Sequence, residues 1–111
     1  MEFAVSRTTA MKPELIDAVW AHGRVMPEVD AAVWRQDACG AWMRRDHFER
    51  QDSAFGWKVE RVSSGDSDSL RPFNLGNHYD MANGRAHCHV IADRSNVPAE
   101  KYARPPRNRS L

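Results

Sequence analysis

The sequence predicts an α+β fold in one small single domain. Three observations predict it. Apolar residues recur at helical spacing over 13–23, residues 56–62 alternate between apolar and polar, and 111 residues suffice for one core but not two. Apolar residues make up 41% of the chain and charged residues 28%, a globular composition at the polar end. No apolar run nears the ~20 residues of a membrane helix. The start, Met1-Glu2-Phe3-Ala4-Val5, lacks the basic and apolar regions of a secretory signal. The expected setting is therefore cytoplasmic, with no membrane partner.

Residues 1–12 read as an irregular lead-in. Pro13 suits a first helical turn, Leu15, Ile16, Val19 and Trp20 share one face, and Gly23 stops the run. Met26-Pro27 marks a turn. Val29, Val33 and Trp34 fit either a short helix or an extended stretch. Cys39-Gly40, between Trp34 and Trp42, reads as the turn of a hairpin. Residues 49–55 read as a loop. Over 56–62, Trp57, Val59 and Arg61 fall on one face, and Lys58, Glu60 and Val62 on the other. Residues 63–69 form a Ser, Gly and Asp loop. Leu70-Arg71-Pro72-Phe73 is extended, and its proline bars a central strand position. Asn74 to Asn83 is expected as a short helix with Asn74 as N-cap and Gly84 as stop. Residues 86–91 read as a strand. Residues 1–93 are expected as the domain and 94–111 as an Arg/Pro-rich C-terminal tail, with 103–111 disordered. Trp20, Trp34 and Trp57 are expected in the core.

The formal net charge is +1. That argues against affinity built on many phosphate contacts. Residues 1–55 hold 7 basic and 9 acidic groups, and 56–111 hold 9 and 6, so the basic character lies toward the C-terminus. Arg accounts for 13 of the 16 cations, a bias suited to bidentate contacts with carboxylate or phosphate. Arg44, Arg45, Arg61 and Arg71 are the candidate binding residues. Asp66 and Asp68 would oppose DNA at their loop. Cys39 and Cys88 form no C-x-x-C pair, so a zinc ribbon is not expected. They fit either one long-range disulfide or two buried thiols, and a cytosolic setting favours the thiols. His87 and His89 share a strand face and with His78 raise the option of a metal cluster. The Asp46-His47 pair raises that of a general base.

Four segments carry a resemblance. They are Ala18-Val19-Trp20-Ala21-His22-Gly23-Arg24, Trp34 to Met43, Phe55 to Val62, and Ser69-Leu70-Arg71-Pro72-Phe73 followed by Asn77-His78. Together they resemble bacterial and phage HNH endonucleases of the ββα-metal type. The resemblance implies an HNH-like ββα core with an N-terminal helix and hairpin. It places the metal-binding aspartate on Glu60, the general base on Arg61, the asparagine that orients the base on Ser69, and the helix-borne metal ligand on His78. Arginine stays protonated and offers no acceptor, so Arg61 cannot activate water. Glu60 and His78 then remain as a remnant metal pair, and Arg61 and Ser69 as degenerate catalytic positions.

The resemblance therefore implies a non-catalytic binding protein that needs no cofactor. It would act as an inhibitor or adaptor on a protein or nucleoprotein partner, for example a phage anti-CRISPR or other anti-defence protein. Contact with nucleic acid is kept as an option. The alternative is a divergent HNH endonuclease that cleaves DNA with a divalent metal, Mg or Zn, on Glu60 and His78.

Overall fold

Pro13 fixes the first helical φ, and Glu14 places a negative charge at the helix N-terminus. Helix α1 accordingly spans Pro13–Trp20 in the computed structural model, which describes residues 11–65, 67–94 and 106–111. Beyond Trp20 the chain leaves the helix through a turn in which the Gly23 N–H donates to the Trp20 carbonyl at 2.8 Å. The sequence expectation of a helix to residue 23 is thus shortened by one turn.

The remaining elements are short antiparallel pairs. β1 (Trp34–Gln36) pairs with β2 (Trp42–Arg44), with Gln36 opposite Trp42. The Asp37 carboxylate shapes their turn by accepting from the Cys39 and Ala41 N–H groups at 3.0 and 2.9 Å. β3 (Trp57–Arg61) pairs with β4 (Leu70–Asn74), from Trp57 opposite Asn74 to Arg61 opposite Leu70. Among the described residues each sheet has two strands, so Pro72 interrupts no second ladder there. β5 (His78–Asp80) pairs with β6 (Arg85–His87), and β7 (Val90–Ala92) with β8 (Asn108–Ser110). Among the described residues, one α-helix with several small antiparallel sheets makes a mixed α+β single domain.

The core joins α1 to one face of the β3–β4 hairpin. Val19, Trp20, Met43, Trp57 and Leu70 are buried together, with Leu15, Ile16, Phe48 and Val59 packed around them. The Trp57 ring lies 5.1 Å from Trp20 and 4.8 Å from Phe48, centroid to centroid. Trp34, expected in this core, is only half-buried and packs instead on Phe55 and Trp42 at 4.8 and 6.3 Å. Trp42 is the buried member of that pair.

Residues 74–83, expected as a helix, are the end of β4, a turn and most of the β5–β6 hairpin. The helical α of a ββα unit is therefore not found where the resemblance places it. Polar side chains that bond to backbone, some across the fold and some locally, explain the difference. The Asn74 amide donates to the Trp42 and Ala54 carbonyls, and its oxygen accepts from the Gly76 N–H. Asp80 caps the following turn by accepting from the Asn83 N–H and side-chain amide, and Gly84 closes it at φ +66°. The expected strand 86–91 is broken at Cys88 and His89 into β6 and β7. The end of the expected disordered tail, residues 106–111, is ordered through β8; residues 95–105 lie outside the described residues, as do 1–10 and Asp66.

Both cysteines are joined in a Cys39–Cys88 disulfide, with Cα atoms 5.6 Å apart. This corrects the expectation of two reduced thiols. A buried polar network brings them together. Asp37 accepts from the Asn77 side chain at 3.0 Å and from the Asn74 N–H at 2.9 Å. Asn77 in turn accepts from the His89 and Val90 N–H groups, next to Cys88.

Candidate functional site

The β3–β4 register settles where Glu60 and Arg61, two of the four positions of the HNH resemblance, point. Cross-strand partners share a face, so Trp57, Val59 and Arg61 lie with Leu70 and Pro72 toward α1. Lys58, Glu60, Arg71 and Phe73 lie on the opposite face, where Phe73 is buried and faces Tyr79 of β5. Glu60 and Arg61 therefore point to opposite sides of the hairpin.

Arg61 closes the loop after β3. Its guanidinium donates to the Gly65 carbonyl at 2.8 Å and to the Ser69 hydroxyl at 3.2 Å. Thus the two positions matched to a catalytic base and its orienting residue are bonded to each other. The Glu60 carboxylate receives the Lys58 ammonium at 3.2 Å on one oxygen and the Tyr79 N–H at 3.0 Å on the other. His78 stacks on His87, its cross-strand partner, at 4.9 Å between centroids, and on His89 at 6.2 Å. The three histidines do come together, as the sequence option required. Their rings are nearly parallel, so the in-plane nitrogen lone pairs do not converge on one point. Among the described residues, no group of three or more His, Cys, Asp or Glu side chains is arranged to hold a metal ion. Glu60 and His78 do not make a divalent metal centre as they stand, since both Glu60 oxygens are engaged and no third donor is grouped with them among the described residues.

The other candidates are held within the chain. Arg44 donates to Asp46 at 2.7 Å and lies over the Trp34 ring. That hydrogen bond is the main reason the Asp46 carboxyl sits below its ordinary range. Arg45 pairs with Asp17 and lies over Trp57. Neither contact joins them to Arg61 or Arg71. His47 bonds through Nδ1 to the Ser53 hydroxyl at 2.6 Å, and that hydroxyl also accepts from the Phe55 N–H. It serves a turn rather than the β3–β4 face.

Arg71 opens onto a cleft of about 380 Å³ between the 22–24 turn, β4 and β5. Val62, Pro72, Phe73 and Tyr79 supply apolar walls, Arg24 and Arg71 supply cations, and His22, Gln36 and Asp37 complete the polar lining. The Arg71 guanidinium is steadied by the Asp68 and Leu70 carbonyls at 2.5 and 2.8 Å, and Nη1 lies 3.0 Å from His22 Nδ1. A larger hollow of about 660 Å³ lies between residues 51–54, the 74–76 turn and β8. Its cations are Arg109 and Lys58, the latter paired with Glu60.

His22 and Arg24 were not singled out by sequence reasoning. No local pattern marks them: His22 meets Leu70 across 48 residues, and Arg24 reaches the cleft because its backbone bridges to Gln36. Comparison of the chain with protein-family models, curated proteins and solved structures finds no match.

Proposed function

We propose that this chain is a non-catalytic binding protein, derived from an HNH-type sequence, that acts as an inhibitor or adaptor on a protein or nucleoprotein partner. The observation that carries the proposal is the Arg61–Ser69 contact. At the position matched to the general base stands a guanidinium that only donates, and it is spent on closing its own loop. A base must accept a proton from water within hydrogen-bond reach, and its loss removes about 10²–10⁴-fold in rate. Glu60, the matched metal position, is satisfied by Lys58 and the β5 backbone. With a net charge of +1, the chain lacks the excess of cations that drives general nucleic-acid binding. A nuclease-based defence complex, the anti-CRISPR case, is the concrete partner class proposed.

Incubation with supercoiled plasmid and Mg²⁺, Mn²⁺ or Ni²⁺ tests this. The expected result is uncut plasmid. Nicking that His78→Ala abolishes would establish the divergent endonuclease instead. A cytoplasmic location, proposed with this function, would favour reduction of Cys39 and Cys88. The incubation is therefore run with and without a thiol reductant.

A further inference from the structure

We infer that the cleft between the 22–24 turn, β4 and β5 is the docking site for a short acidic peptide segment bearing one aromatic or large aliphatic anchor. The inference rests on the binding-protein proposal and names the chemistry of the partner segment. Two features of the cleft select that chemistry together.

The first is charge. Arg24 and Arg71 line the cleft, and among the described residues neither has a carboxylate within ion-pair distance. The nearby acids are engaged by other groups, including Asp37, which is part of the cleft wall. Asp37 has both oxygens occupied, each by two N–H donors. Glu60 lies directly across from Arg71, but its oxygens receive Lys58 and the Tyr79 N–H. Asp68 meets Arg71 through its backbone carbonyl. His22 stands beside Arg71 as a polar neighbour, its Nδ1 3.0 Å from Arg71 Nη1. Two guanidiniums lining one cleft suit carboxylates.

The second is shape. Val62, Pro72, Phe73 and Tyr79 make the walls mostly apolar, and about 380 Å³ is near the lower limit of ligand pockets. An apolar hollow flanked by charge is the arrangement in which an anchor side chain is buried while its neighbours pair at the edge. A long polyanion would need an extended basic track, whereas Arg44 and Arg45 are already paired with Asp46 and Asp17.

Amide spectra of the ¹⁵N-labelled full chain test the inference by titration with the pentapeptide acetyl-DEFDE-amide. Acetyl-NQFNQ-amide and inorganic pyrophosphate are titrated in parallel. Shifts from the acidic peptide should be confined to residues 22–24, 62, 71, 73 and 79. Affinity should fall about tenfold with Arg24→Glu, a change equivalent to loss of one good charge contact. The Arg24 backbone bonds to Gln36 do not depend on its side chain, so that variant keeps the fold. Arg71→Gln should weaken binding in the same direction.

Absence of localised shifts, equal binding of the neutral peptide, or binding of pyrophosphate alone would each overturn the assignment. If any of these occurs while the plasmid stays uncut, the cleft assignment falls and the non-catalytic proposal stands. Metal-dependent nicking abolished by His78→Ala overturns that proposal whatever the peptide does.

Discussion

Trp57 has no exposed surface, and its indole N–H donates to the Arg45 carbonyl at 3.3 Å. Gly56 before it must be small, because a Cβ there would stand 2.1 Å from the Arg50 carbonyl oxygen. The Gly-Trp pair is thus set by packing on both residues. Trp57→Ala is expected to cost about 3–5 kcal/mol, as aromatic truncation in cores does. Urea unfolding checks it, and a midpoint close to that of the unchanged protein would place the ring outside the core. Asp37 is only 2% exposed and accepts four N–H groups from the β1–β2 turn, Asn74 and Asn77. Removing it strands several buried donors, each costing about 1–3 kcal/mol. Asp37→Ala should therefore destabilise at least as much as Trp57→Ala in the same experiment. The sequence displayed Trp57 through the alternation around it. Asp37 carried no comparable signal, since its partners Asn74 and Asn77 lie 37 and 40 residues away.

Among the elements, α1, the β1–β2 hairpin and β3 were legible because each is set by local spacing or by a turn residue. The β5–β6 hairpin was not. Its Asn and Asp residues fit a helix cap as well as a turn, and only the partners of Asn74 and Asn77 decide between them. Asp80 gives this hairpin a pH dependence. Its carboxyl is held below the ordinary range first by the Asn83 side-chain amide, then by the Asn83 N–H, with His87 contributing and desolvation opposing. A depressed carboxyl stabilises the folded state above its unfolded pKa and loses that contribution as pH falls through the lower, folded value. The Asn83 amide resonance is thus expected to shift and exchange faster below the usual aspartate range, and Asp80→Asn should remove that titration. β8 was hidden in a segment that reads as tail. Asn108 accepts from the Trp42 N–H at 2.8 Å and donates to the Trp42 and Ala54 carbonyls. Asn108→Ala should cost about 1–3 kcal/mol. Thermal melting checks this, and an unchanged midpoint would show that β8 contributes nothing to the folded state.

For the whole molecule, the Cys39–Cys88 bond closes a separation of 49 residues, linking the β1–β2 turn to the β6–β7 junction. Loop-closure entropy for that span gives about 4 kcal/mol of stabilisation. Reduction, or the double variant Cys39→Ser with Cys88→Ser, should lower the melting temperature by at least about 10 °C in a domain of this size. A melting point unmoved by reductant would show that the polar network alone holds the two segments together. The sequence by itself determined the α+β class, the N-terminal helix, the Trp-bearing hairpin, the face on which Trp57 and Val59 are buried, and the inability of Arg61 to act as a base. These follow from periodicity, turn chemistry and the chemistry of single side chains, all of which are local. Tertiary structure alone decided the disulfide, the hairpin at 78–87, the return of the chain as β8, and the cleft of His22, Arg24 and Arg71. Each of these depends on partners tens of residues apart, and local propensity carries no information about which distant groups satisfy a buried carboxylate or amide.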